Sequence, residues 1–468
     1  MNKKFYITNA IPYVNAKPHV GHALEFVQSD VIKRYHKING DDVLLLCGSD
    51  DNAIKNVQAA EAAGKPVQQF VDENSALFSK LAEKLHVGFD IFQKGSSPQH
   101  HASSQELWKK CFDNGDIYKK EYSGLYCVGC ELFYEKEELD ENGECFEHPG
   151  KKLETVTEEN YFFKLSKYED RIKELIESDT VKIIPESRKN EVLSFLKQGL
   201  KDISISRSNA RAKNWGVSVP DDENQKMYVW FDALNIYRSG LGDKYEDFWP
   251  ADIHVIGKGI IRFHAIYWIA FLLSAKLPLP KSIFVHGYFT VDGQKMSKTI
   301  GNVVDPITLI EKYGTDALRY YFLKEISPTD DGDFSEEKLK VLYNADLANG
   351  IGNLVARVAK LCENNQITIT PFNNGFSDYL KGYLAGFEFS NAINGIRGNI
   401  AATDKIINET KPWELKDEEA KANLTVLTKH IQQISYDLQP FLPETSEKIL
   451  KQFSGEIKSA PSLFPRIS

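Results

Sequence analysis

A chain of 468 residues exceeds what one hydrophobic core can hold, so two to four domains are expected. Its 42% hydrophobic, 26% charged and 12% aromatic content excludes disordered, collagen-like and small disulfide-scaffold classes. A formal net charge of −9 argues against indiscriminate binding to nucleic acid. Six cysteines, three of them between positions 127 and 145, point to a metal site in a reducing compartment. The most apolar run, 267–275, falls far short of the about 18 residues a membrane span requires. The opening MNKKFYITNA turns polar too early for a secretory signal. A cytoplasmic protein without a membrane partner is expected.

In chain order, FYITNAI has the β-branched and aromatic content of a buried strand. Pro12 and Pro18 then impose an extended turn. In GHALEFVQSDVIKRYHK the spacing of Leu24, Val27, Val31 and Tyr35 predicts one helical face. DDVLLLCGSD predicts a second strand after the turn at Asn39 and Gly40, followed by a helix over about 52–63. Strand–helix alternation implies an α/β fold with a doubly wound parallel sheet. Ligands of such sheets bind at the carboxyl ends of the strands, where TNAIPY and GSDD lie. Residues 115–185 read as a small inserted β module, with short aromatic runs GLYCVGCELFY and NYFFKL. The α/β pattern returns at 186 with a helix at NEVLSFLKQGL and strands at MYVWFDA, HVIG and SIFVHGYF. From 336 the periodicity is helical, as in Leu347, Ile351, Leu354, Val355 and Val358, then Ile431, Ile434 and Leu438.

Two motifs carry phosphate chemistry. HVGH places His19 and His22 three residues apart at the start of the first helix, where free N–H groups and the helix dipole favour phosphate. Gly21 between them leaves room for a flat base. GQKMSKT places Lys295 and Lys298 three residues apart in a glycine-bounded loop, a mobile cationic clamp for a polyphosphate whose charge shifts on attack at its α-phosphate. Either string alone also fits a solvated surface loop; their co-occurrence favours the phosphate reading. A third constellation is Cys127-x2-Cys130-x14-Cys145-x2-His148, the spacing of a closed, structural zinc knuckle. Cys47, Cys111 and Cys362 stand in apolar contexts and read as core.

With these motifs, the segments NAIPYVNAKPHVGHALE, YCVGCE, NYFFKLSKY, YVWFDA, IGKGIIRFHAIYW, GTDALRYY and NADLANGIGNLVARV resemble the methionyl-tRNA synthetase family of class I aminoacyl-tRNA synthetases over essentially the whole chain. The resemblance implies a Rossmann-type catalytic domain in two halves, 1–114 and 186–290, split by the zinc-binding insertion 115–185. It further implies a KMSKT loop and stem-contact segment at 291–335 and an all-α anticodon-binding domain at 336–468. The implied activity is ATP-dependent formation of methionyl-adenylate and transfer of methionine to initiator and elongator tRNA, with Mg2+ accompanying ATP. Carried over position by position, His19, Gly21 and His22 meet the phosphates, and Lys295 and Lys298 the pyrophosphate side. Glu25, Gly257, His286 and the backbone at Phe289 meet adenosine. His19, His22, Lys295 and Lys298 form the implied catalytic set, and the carboxylate nucleophile needs no general base.

A flexible thioether side chain favours aromatic walls with Tyr or His tips. The sequence supplies Tyr13, Trp230, Tyr237, His264 and Trp268 among Ile11, Ala233, Leu234 and Ile260. These match the family's methionine pocket, and Asp50 matches its carboxylate for the substrate α-amino group. Asn353 and Arg357, four apart on one helix face, match anticodon-reading positions, as does Trp413. Three departures stand out: KMSKT for KMSKS, Gly259 where an acidic residue usually follows GK, and Asn52 and Ala53 in GSDDNA where TDEHG is common. A monomer is expected. The rival readings are a class I ligase for another apolar amino acid, a tRNA-binding paralogue without activity, and a nucleotidyltransferase acting without tRNA. YVWFDA with Tyr237 and His264, the intact HVGH and KMSKT, and the helical region disfavour them in turn. Residues 336–468 carry 15 Lys and Arg against 16 Asp and Glu, so any RNA affinity there rests on local contacts rather than bulk charge.

Overall fold

The computed structural model describes residues 2–127, 132–134, 136–145, 150–296, 301–372 and 374–467, with the backbone alone for Tyr122, Leu132, Phe133, Glu137 and Lys295. Six strands build the main sheet: β1 (Lys4–Asn9), β2 (Asp42–Ser49), β3 (Ile91–Lys94), β4 (Lys182–Ile184), β5 (Ile253–Gly257) and β6 (Ser282–His286). Their spatial order is β3-β2-β1-β5-β6-β4, and every pairing is parallel. The winding direction reverses between β1 and β5, which opens a crevice beyond their carboxyl ends. β1 is buried from Phe5 to Asn9, as a central strand covered on both faces must be. Its register sets Thr8 beside His254 and Asn9 beside Val255, and Ala10 N–H still donates to Val255 O at 2.9 Å. The chain therefore leaves the sheet at Ile11, at the edge of the crevice.

Helix α1 (Val20–Ile38) packs on the sheet through Leu24, Val27 and Val31, the face expected from their spacing. Two expectations are corrected. MYVWFDA is not a strand: a strand runs over Asp222–Met227 and Val229–Ala233 is a short helix. Its residues, Asp232 included, are buried all round, and a run buried on every side has no solvent-facing period to separate strand from helix. SIFVHGYF is not one strand either. β6 ends at His286, and Phe289–Val291 pairs in parallel with Gly332–Phe334 in a separate small sheet. The break falls at Gly287, where a Cβ would overlap the carbonyl of Asp330.

An antiparallel sheet of Leu132–Tyr134, Ile117–Cys127, Glu154–Phe163 and Ile203–Ser204 forms the module read as an insertion. β4, within 115–185, pairs instead with β6 at the edge of the main sheet, and Ile203–Ser204 joins the module from beyond 185. The second half of the chain is mostly helical. Its principal helices are α2 (Thr315–Glu325), α3 (Asn353–Asn364), α4 (Phe389–Thr410), α5 (Asp417–Leu438) and α6 (Pro443–Gln452). Beyond 336 the described residues hold one strand pair, Thr368–Ile369 with Gly455–Glu456. α2 joins the two halves through Arg319, which is fully buried. Arg319 pairs with Asp30 of α1 at 2.8 Å and donates to Leu85 O, Pro440 O and Phe441 O at 2.8–3.0 Å. Among the described residues no helix is long and apolar enough to cross a membrane.

Candidate active site

His19 caps α1. Its Nδ1 accepts from Gly21 N–H at 3.1 Å, and its own N–H donates to His22 Nδ1 at 3.2 Å. With both Nδ1 atoms accepting, neutral imidazoles carry their protons on Nε2. The two rings lie 3.9 Å apart, and His22 stands edge-on to Phe78 at 5.0 Å. Burial, reinforced by His19, pushes His22 well below the usual histidine range, so it stays neutral at pH 7. A Cβ at Gly21 would come within 2.9 Å of His19 Cε1 and 3.6 Å of the Met296 methyl. Gly21 thus gives His19 its place, with Met296 of the GQKMSKT segment beside it. Lys298 and the Lys295 side chain lie outside the described residues; the Lys295 backbone pairs with Thr290.

Across the crevice Glu25 bridges β1 and β6. Its Oε1 accepts from Asn9 Nδ2 at 2.6 Å, and its Oε2 lies 2.7 Å from His286 Nε2. Ser29 Oγ donates to Asn9 Oδ1 at 2.6 Å and fixes which face of the amide meets Glu25. Gly257 ends β5 beside His286, whose Cε1 a Cβ there would meet at 3.4 Å. Phe289 is buried, edge-on to Phe322. Of this network Asn9 escaped the sequence reading, although a polar residue closing an apolar strand at a switch point was the signal.

The residues expected to line a side-chain pocket also come together. Trp230 stacks on Phe263 at 3.7 Å, with Tyr13 and His264 edge-on at 6.5 and 6.4 Å. His264 Nδ1 donates to Ile260 O at 2.9 Å, so its Nε2 accepts from the Tyr237 hydroxyl at 2.8 Å. Burial lowers His264 to about 4, opposed by the Ile260 hydrogen bond, and pushes the Tyr237 phenol well up. The pair is therefore uncharged at pH 7 and offers nothing to a charged side chain. Phe263 to Trp268 form a π-helical turn, a distortion frequent at functional sites. Ile11, Ala233, Leu234 and Ile260 pack in the same apolar cluster, while Trp268 is fully buried against Trp249. Asp50 is buried and its backbone bridges that of Tyr13 at the end of β2. Phe263 was missed, although it directly precedes His264.

Outside the crevice, Cys127 and Cys145 are buried with sulfurs 3.2 Å apart. That separation is too long for a disulfide of about 2.05 Å, and both thiols can reach one ion at about 2.3 Å. Cys130 and His148 lie outside the described residues. On α3, Asn353 is exposed, and Arg357 pairs with Asp404 at 2.6 Å and donates to Asn408 Oδ1 at 3.0 Å, both on α4. Trp413 follows the end of α4 and is 52% exposed, so a large apolar surface is open to solvent there.

A family model described as tRNA synthetases class I (M) matches residues 5–359. The methionine–tRNA ligase of Rhizobium meliloti is 40% identical over 95% of this chain and 91% of its own length; that of Thermotoga maritima is 40% identical over 97% and 76%. Among solved structures, Mycobacterium tuberculosis methionyl-tRNA synthetase in complex with methionyl-adenylate superposes with a TM-score of 0.92 at 35% identity, covering 99% of this chain and 100% of that one. The chain belongs to the class I methionyl-tRNA synthetase family. For this synthetase family, the Asn52 departure now has a local explanation. Asn52 Nδ2 donates to Gly95 O at 2.9 Å and to Asp232 Oδ2 at 2.7 Å, tying the GSDDNA loop to the helix of the pocket wall. Ala53, fully buried, precedes the helix Ile54–Ala62.

Proposed function

We propose that the crevice beyond β1 and β5 performs methionine–tRNA ligation, the activity for which its relatives are named. A methionine carboxylate oxygen attacks the α-phosphorus of ATP, the bond to the bridging oxygen breaks, and pyrophosphate leaves with that electron pair. A hydroxyl of the terminal tRNA adenosine then attacks the adenylate carbonyl, loses its proton, and AMP leaves. The observation that supports this reading is the pair of imidazoles at the N-terminus of α1, each accepting a backbone N–H at Nδ1 and so left to donate from Nε2, beside Met296 of the GQKMSKT segment. Neutral donors aimed at phosphate oxygens stabilise developing charge without adding a proton equilibrium. Lys295 and Lys298 take the leaving pyrophosphate, and Mg2+ bound with ATP supplies further charge neutralisation. Asn9, Glu25, Gly257, His286 and the Phe289 backbone hold adenosine. Tyr13, Trp230, Phe263, Tyr237 and His264 enclose the thioether, with Ile11, Ala233, Leu234, Ile260 and Trp268 behind them, and Asp50 takes the ammonium group.

Cys127 and Cys145, with Cys130 and His148, would hold a structural zinc in the insertion; the two thiols 3.2 Å apart fit such a donor set. Residues 336–468 would read the anticodon through Asn353, Arg357 and Trp413, in a monomer. The test is ATP–pyrophosphate exchange with each amino acid in turn, followed by charging of initiator and elongator tRNA. Methionine alone should support fast exchange; an equal rate with leucine would overturn the assignment. Lys298→Ala should slow adenylate formation about 100-fold or more while methionine affinity changes less than threefold. Equal losses in both would deny it a transition-state role.

A further inference from the structure

Gly259 lies in the turn Lys258–Ile260 that follows β5, between Gly257 and the carbonyl that orients His264. Its backbone does not enter the left-handed region, so conformational freedom does not explain the glycine. Space does. A Cβ at 259 would overlap the hydroxyl of Tyr288 and come within 2.9 Å of its Cζ. The phenol occupies the volume in which any side chain at 259 would begin.

Tyr288 is held there from behind. Its N–H donates to Asp331 Oδ1 at 2.8 Å, and its carbonyl accepts from Gly332 N–H at 2.9 Å. Asp331 Oδ2 holds Lys258 at 2.6 Å, and the Lys258 ammonium lies 4.8 Å from the Tyr288 ring centre. Gly287, directly before it, closes on the Asp330 carbonyl. Yet the residue remains 39% exposed, an unusual investment in fixing a large aromatic at a surface. Sheet order says on which side of β1 it stands. β5 and β6 lie on one side of β1, with Gly257 and His286 at their ends, whereas β2 and Asp50 lie on the other. Tyr288, two residues past β6, stands on the same side of β1 as Gly257 and His286, the residues expected to meet adenosine, and not on the Asp50 side.

We propose that Tyr288 is a binding residue for ATP, its hydroxyl hydrogen-bonding a ribose hydroxyl over Gly259, in place of a carboxylate at position 259. A phenol both donates and accepts, as a neutral ribose hydroxyl requires. The proposal rests on the ATP-dependent ligase reading above. Its test is methionine-dependent pyrophosphate exchange by the full chain with ATP, 2′-deoxy-ATP and 3′-deoxy-ATP. Tyr288→Phe should raise KM for ATP roughly tenfold, as expected for one hydrogen bond. KM for methionine and the melting temperature should stay nearly constant, and the disadvantage of at least one deoxy analogue should largely disappear. Gly259→Asp alone should impair ATP use through the clash. In a Tyr288→Ala background the same aspartate should lower KM for ATP relative to Tyr288→Ala, because the volume is then free. An unchanged KM for ATP in Tyr288→Phe, or undiminished discrimination against both analogues, overturns the proposal. Wild-type protein without methionine-dependent exchange would overturn the underlying reading instead.

Discussion

His264 uses both ring nitrogens inside the fold, on Ile260 O and the Tyr237 hydroxyl, and burial holds its pKa at about 4 against an ordinary 6.5. Between those values the unfolded chain binds a proton that the folded chain refuses, so stability rises with pH across that window. The contribution is fully present above about pH 6.5, is lost as pH falls toward 4, and amounts to about 3 kcal/mol. His22 and His254, also held low by burial, add with the same sign. Urea midpoints should therefore drop between pH 6.5 and 4, and His264→Gln should make that drop shallower; an unaltered slope would contradict the assignment. Gly21 gives a sharper separation of stability from activity. Alanine is the better helix former by up to about 1 kcal/mol, but its Cβ would crowd His19. Gly21→Ala should hold or raise the melting temperature while lowering the adenylation rate about 10- to 100-fold, measured by pre-steady-state burst.

Helix α2 is the element on which the two halves depend. Arg319 satisfies three carbonyls of neighbouring segments and the buried Asp30 carboxylate with one planar group. Arg319→Ala would leave Asp30 with Arg34 and a long hydrogen bond from Gly88 N–H at 3.4 Å, and the carbonyls of Leu85, Pro440 and Phe441 without that donor. A loss of about 3–5 kcal/mol in unfolding free energy is expected, and Arg319→Lys should recover less than half of it, since an ammonium cannot span four acceptors. Element by element, legibility in the sequence followed periodicity. β1, α1 and the helices beyond 336 carry patterns of period 2 or 3.6, or one long apolar run, and they form as read. Val229–Ala233 is buried all round and carried no period, so its helix was invisible. β4 is three residues at a sheet edge, and only its pairing with β6 separates it from the surrounding insertion. At the candidate site, the HVGH motif and Glu25 one turn later could be placed from the sequence, and the contacts of His19, His22 and Glu25 lie at the start of α1. Asn9, Phe263 and Tyr288 could not be picked out, because their contacts arise from what another segment places beside them: Glu25, Trp230 and Gly259 respectively.

For the whole molecule, a net charge of −9 and a nearly neutral region beyond 336 mean that RNA cannot be held by bulk attraction. Recognition must then come from few, short-range contacts, and Trp413 is the most exposed aromatic surface there. Stacking of one base on such a ring is worth about 1–3 kcal/mol, and Arg357 is already engaged by Asp404, so its charge is partly spent before RNA arrives. Two consequences separate this design from a basic tRNA-binding patch. Trp413→Ala should raise KM for tRNA about 5- to 100-fold, because the stacking surface is lost, while methionine-dependent pyrophosphate exchange, which needs no tRNA, stays within twofold of wild type. The wild-type tRNA affinity should also fall gently with salt, with a log–log slope of about −2 to −4, since few phosphates are neutralised. A slope of about −8, or a Trp413→Ala enzyme that charges tRNA normally, would place the affinity on a charged face elsewhere in the chain. Filter binding of tRNA between about 50 and 200 mM salt, run beside charging kinetics, distinguishes these outcomes.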